Sequence, residues 1–165
     1  MNNKRIYNNI YEIASRLLVI LNRFECSLDV QQLIYYDYLL IYAHEFSSEG
    51  KNVHPANPGH KREVYSKRRI IMDALKLLVS KHLITVSYSK DGFSYKKTCI
   101  TNKFLECFQS DYYSQLNKNS ILIYNEFKGK SLIELEQYMK NILSIEDDEY
   151  DKEDLFRGGY FERTL

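Results

Sequence analysis

No stretch of this 165-residue chain reaches the ~18 consecutive apolar residues that a membrane-spanning helix needs. The start, Met1-Asn2-Asn3-Lys4-Arg5, leads into no uninterrupted apolar core, so no signal peptide is expected either and the reading is a cytoplasmic protein. Cysteine is scarce: Cys26, Cys99 and Cys107 are odd in number and lack a CxxC spacing, which argues against a disulfide framework or a zinc site and predicts reduced core or surface thiols. Also missing are the phosphate-cradling GxxxxGKS/T and GxGxxG patterns, HExxH and GxSxG. The histidines fall in a loop or at helix ends, and none stands near a cysteine at a helix start, where a thiolate would be activated. With no nucleophile and base that can be named together, the sequence predicts no enzyme and no cofactor.

What is present suits one folded domain. The hydrophobic fraction is 44%, enough for a core without metals or cross-links. Fifteen tyrosines stand against no tryptophan. Tyrosine serves where one end of a side chain must meet solvent or a partner, so the excess fits either half-buried packing or an interface. The net charge of +1 conceals an asymmetry: residues 60–103 hold eleven Lys and Arg against three acids, whereas residues 142–165 hold eight acids against three bases. Two kinds of partner, or an acidic tail shielding a basic face, would explain it.

The stretch from Lys61 to Thr101 organises the rest. Val64, Ile71, Leu75, Leu78 and Val79 recur at helical steps within a segment expected to run from Glu63 to His82, with Lys67, Arg68, Lys76 and Lys81 falling between them. The period then changes to two: Ile84, Val86 and Tyr88 alternate with Thr85, Ser87 and Ser89 up to an Asp91-Gly92 turn, and the strand returns through Phe93, Tyr95, Thr98 and Ile100. Helix followed by hairpin is the back half of a winged helix.

Around it the sequence predicts a helix over Ile6 to Arg23, a break at Glu25-Cys26-Ser27, and a second helix from Val30 to about Phe46 opened by a capping box of Asp29 and Gln32. Asp37 lies inside that apolar run and reads as an exposed acid, the alternative being a buried one paired with a base of a neighbouring helix. Residues 47–62 contain both prolines and form a long loop with a turn at Asn57-Pro58-Gly59. His54 and His60 there, with His44 upstream, complete no ligand spacing and are read as solvent-exposed or turn-bonding; no metal is expected. Thr101 is expected to cap a helix running through Phe108. A helix follows over Asp111 to Lys128, with a possible break near Asn117 to Ser120, and Ser131 with Glu134 boxes the start of another. The expected architecture is mainly α with a small β-hairpin: a winged-helix-like domain over residues 1–143, wing at 84–100, with additional C-terminal helices. Residues 144–165 form an acidic tail that is partly disordered or docks through Leu155, Phe156, Tyr160 and Phe161.

The candidate contact residues are Lys67, Arg68 and Arg69 at the start of the basic helix and Lys90, Lys96 and Lys97 on the wing. In a winged helix these positions meet a major groove and phosphates, but winged helices also dock on proteins, and both readings stand.

Tyr36-Asp37-Tyr38-Leu39-Leu40, His54-Pro55, Pro58-Gly59, Glu63, Arg68-Arg69, Leu75-Lys76-Leu77-Leu78 and Leu83-Ile84 together resemble the middle components of bacterial ABC three-component systems, a group that includes the Lamassu-type defence systems. The resemblance spans roughly Glu12 to Leu116 and carries no catalytic signature. It implies a small winged-helix accessory subunit that joins an SMC-like ATPase to an effector, often a nuclease, in defence against phage or plasmids. The ATPase would read DNA ends or unusual DNA and this chain would relay that state. On this view the tyrosine-rich faces are subunit interfaces, and Lys67, Arg68 and Arg69 line a DNA channel or pair with an acidic partner. The alternative is a free-standing winged-helix transcription regulator, which would bind a palindromic site as a dimer with steep salt dependence.

Overall fold

The computed structural model describes residues 8–55, 59–90 and 92–143. The acidic tail expected over 144–165 and most of the Asn57-Pro58-Gly59 turn lie outside them. Helix α1 (Ile10–Arg23) opens at Asn9, whose side chain accepts the backbone N–H groups of Tyr11 and Glu12, both at 3.0 Å. From Ile13 to Leu21 it is almost wholly buried, because α2, α4, α5 and α6 (bounds below) all pack around it. Full burial of each such Leu or Ile side chain contributes about 1.5–3 kcal/mol.

After Phe24 the chain makes a strand of two residues, β1 (Leu28–Asp29), which lies just past the expected break at Glu25-Cys26-Ser27 and which the sequence reading does not foresee. Two residues are too few to display a period, and Asp29 has a second task. It caps α2 (Val30–Ile41): Gln32 N–H donates to its side chain at 2.8 Å and Asp29 N–H donates back to Gln32 at 3.0 Å, the expected capping box. Helix α2 stops earlier than expected, with a 3₁₀ turn over Ala43–Glu45.

The long loop is tied down along its first half. Val53 N–H donates to the Ile41 carbonyl at 2.9 Å, and His44 N–H to the Asn52 side chain at 3.1 Å. Gly50 packs so closely on the preceding turn that a Cβ there would lie 2.3 Å from the Ala43 carbonyl oxygen. Only glycine fits that approach.

The helix expected from Glu63 to His82 is one turn, α3 (Glu63–Ser66), then Lys67 as a turn residue, then α4 (Arg68–Ser80). Val64, Ile71, Leu75 and Leu78 are buried as the spacing predicts. His82 takes a positive φ of 56° and turns the chain into β2 (Ile84–Ser89), which pairs in unbroken antiparallel register with β3 (Gly92–Lys97). Gly92, at φ 108°, supplies the turn conformation. The three-stranded sheet has the order β1-β3-β2, with Leu28 opposite Tyr95.

Thr101 is not the expected helix cap. It is buried, its hydroxyl accepts from Thr98 N–H at 3.0 Å and donates to the Leu83 carbonyl, and it thereby ties the two ends of the hairpin together at its base. The short α5 (Thr101–Leu105) follows, then α6 (Asp111–Phe127), which runs unbroken through Asn117 to Ser120. Its polar mid-section is a packing device: Asn119 is fully buried and donates to the carbonyls of Leu40 and Lys51 at 2.9 and 2.8 Å. Gly129 at φ 83° ends the helix, and Ser131 and Glu134 box α7 (Leu132–Leu143) as expected. Stacked Phe24 and Tyr36, with Phe127 and Tyr138, close the core between α1, α2, α6 and α7. No helix among the described residues is long and apolar enough to cross a membrane.

Candidate nucleic-acid and partner interface

The six basic residues singled out from sequence do not share one fate. Arg68 and Arg69 are exposed on the first turn of α4. With Tyr65, Met72, Asp73 and Lys76 they line an open concavity of about 700 Å³. Lys90 is exposed at the wing turn and Lys96 on the wing face that carries Thr85, Ser87 and Ser94. Lys97 is half-buried and its ammonium donates to the Asn22 carbonyl at 2.9 Å, so it fastens the wing to the end of α1.

Lys67 is a correction. Its side chain is only 6% exposed and points inward, 3.4 Å from the Glu63 carboxylate and 3.8 Å from Asp37, without hydrogen-bond geometry to either. The reason lies in the centre of the molecule. Asp37 is fully buried, not exposed, and Arg16 of α1 grips it with two hydrogen bonds of 2.6 and 3.1 Å. Burial by itself would raise the Asp37 carboxyl; the guanidinium of Arg16 and the ammonium of Lys67 hold it below the usual carboxylate range. Arg16 also donates to Glu12 at 3.0 Å, so a charged side chain of α1 faces α2 and not solvent.

Both loop histidines, His54 and His60, face carboxylates, which is neither the solvent-exposed nor the turn-bonding role expected. His54 is buried with Nε2 2.7 Å from Glu12, and Tyr112 of α6 donates to the same carboxylate at 2.8 Å. Burial opposes ionisation of Glu12, but these contacts with His54 and Tyr112, then Arg16 and the Asn8 N–H, hold its pKa at about 2. His60 pairs with Glu45, which also accepts from the Tyr38 hydroxyl at 2.6 Å. Burial and that carboxylate push the Tyr38 hydroxyl well above the usual phenol range. Through Glu12, Arg16, Asp37, Lys67 and Glu63, with His54 and Tyr112, the loop, α1, α2, α3 and α6 are joined by one set of ionic and hydrogen-bond contacts. A lone sequence gives one usable signal for it: acids and bases at positions where the apolar spacing demands burial.

The tyrosines divide. Tyr36, Tyr38 and Tyr42 are core, whereas Tyr11, Tyr65 and Tyr88 are among the most exposed large side chains described. The wing alternation reaches the core only at its base: Ile84 and Tyr95 are buried, and Val86, Tyr88 and Phe93 are not. All three cysteines are exposed free thiols.

No curated protein and no solved structure matches the chain. Residues 6–146, a span that includes every described residue, match a family defined from sequence, and on that match the chain belongs to the family described as ABC-three component (ABC-3C) system Middle Component 2.

Proposed function

We propose that this chain is a non-catalytic accessory subunit that bridges an SMC-like ATPase and a nuclease-type effector in a Lamassu-like defence complex, using a winged-helix body. The winged-helix assignment is supported by the element order, α1-β1-α2, then α3 and α4, then β2-β3, with sheet order β1-β3-β2. The observation that carries the reading is the pairing of an exposed basic surface with a buried ionic cluster that begins at the adjacent residue, Lys67. Arg68 and Arg69, the two residues that follow Lys67, are exposed, and Lys67 reaches inward to Asp37 and, through it, Arg16. A ligand that pulls on the first turn of α4 would strain Lys67 against Asp37, and the strain would reach α1 and α2. That is the property a relay between two partners requires.

DNA contact within the complex is part of the proposal: Arg68, Arg69 and Lys76 meet phosphates, and Tyr65 packs beside them. The tertiary burial of Lys67 removes one of three basic residues from that surface, which weighs against a regulator that relies on this helix alone for affinity.

The test is co-purification of the tagged chain with the other two components of its system, counted by native mass spectrometry, followed by DNA binding at two salt concentrations. A stable complex in which Arg68→Glu/Arg69→Glu abolishes DNA binding or effector activation supports the reading. A lone homodimer that binds a palindromic duplex tightly sinks it in favour of a regulator.

A further inference from the structure

We infer that the outer edge of the wing is a strand-docking site for an extended, acidic segment of another component of the system; the inference rests on the bridging reading above. Strand β2 is an edge strand of the sheet, the two-residue β1 being the other, and from Ile84 to Tyr88 its outer row of backbone N–H and C=O groups meets no strand among the described residues. Soluble proteins protect such an edge with charge, proline, a bulge or a cover. The sequence of β2, Ile-Thr-Val-Ser-Tyr-Ser, has no charge and no proline, and its register with β3 is continuous over six residue pairs, without a bulge.

The side chains tell the same story. Residues opposite one another in an antiparallel pair share a face, so Val86, Tyr88 and Phe93 lie on one side of the hairpin with Ile84 and Tyr95. Ile84 and Tyr95 are buried, yet Val86 is 45% exposed, Phe93 58% and Tyr88 76%. The rings of Tyr88 and Phe93 are 5.1 Å apart, centre to centre, and form a small aromatic surface continuous with the core side of the sheet. An open ladder beside an apolar face fits one kind of partner, a strand whose alternate side chains cover Val86 and Tyr88 while its backbone completes the ladder.

The charge of that partner follows from the hairpin. Lys90 and Lys96 are exposed on it, and between residues 84 and 97 the sequence has Asp91 as its one acid. A partner strand with acidic residues between its apolar ones is matched on both counts. Duplex DNA would engage the lysines but leave the apolar face and the open ladder unused.

The experiment uses the full chain and each of the other two components, purified separately. Hydrogen exchange is followed at the β2 amides, and affinity is measured for the wild type, for Tyr88→Ser/Phe93→Ser and for Lys90→Glu/Lys96→Glu. Neither pair is buried, so thermal unfolding should be unchanged and serves as the folding control. The expected result is slowed exchange at Thr85 to Tyr88 with one component, at least tenfold weaker binding for the aromatic pair, and a smaller, salt-dependent loss for the lysine pair. Complex formation indifferent to Tyr88→Ser/Phe93→Ser overturns the inference and leaves the bridging reading intact. Protection of β2 by duplex DNA, or by raising the concentration of the chain alone, assigns the edge to nucleic acid or to a second copy and also overturns it. If neither component binds at all, the bridging reading fails and the docking site falls with it.

Discussion

Arg16 of α1 meets Asp37 of α2 through both carboxylate oxygens, and neither side chain has any solvent exposure. Removing two charges from water costs about as much as their attraction returns, so the pair is not what makes the fold stable; the apolar faces of α1 and α2 are. What the pair does is restrict how those helices align, since the Arg16 fork donates to both Asp37 oxygens only when the two planar groups lie side by side.

Breaking that pair from one side should be severe. Arg16→Met leaves a buried carboxylate and is expected to cost about 3–5 kcal/mol in urea unfolding. The double variant Arg16→Met/Asp37→Leu should cost much less than the sum of the singles. Additive losses would show that the two groups are not coupled.

Acid should weaken the fold in a defined window. Glu12 and Asp37 both have folded-state pKa values below those of free carboxylates, Glu12 at about 2. Each therefore contributes stability in full above the unfolded value of about 4.3 for Glu and 3.9 for Asp, and loses it as pH falls through the folded value. The urea midpoint should drop between about pH 5 and pH 2, and Glu12→Gln should flatten that drop.

The basic triplet should split when its members are changed separately. Lys67→Ala is expected to lower stability by about 1–3 kcal/mol, because it leaves Glu63 and Asp37 with less positive charge in a buried setting. Arg68→Glu/Arg69→Glu should change stability by less than about 0.5 kcal/mol, and its effect should appear in DNA binding or complex function. Equal destabilisation by both would contradict the placement of Lys67.

Gly50→Ala tests the anchoring of the loop. A methyl group 2.3 Å from the Ala43 carbonyl oxygen forces the two segments apart, at a cost of about 1–3 kcal/mol. Faster hydrogen exchange at Val53, whose N–H bonds to Ile41, would locate the damage.

The sequence by itself determined the helical elements with strong periods, the Asp29–Gln32 and Ser131–Glu134 capping boxes and the hairpin at Gly92. Each of these depends on residues a few positions apart. Membership of the three-component middle subunits was also legible, because the family is defined by linear sequence and residues 6–146 match it. Only the tertiary structure decided that β1 exists, that Asp37 and Lys67 are buried, and that His54 and His60 face Glu12 and Glu45. In each case the deciding partner is remote: β1 is completed by β3 near residue 95, and the Asp37 charge is matched by Arg16 on another helix. Burial of a charge is favourable only when its counter-charge is brought alongside, and that is settled by packing, not by the spacing of residues along one helix.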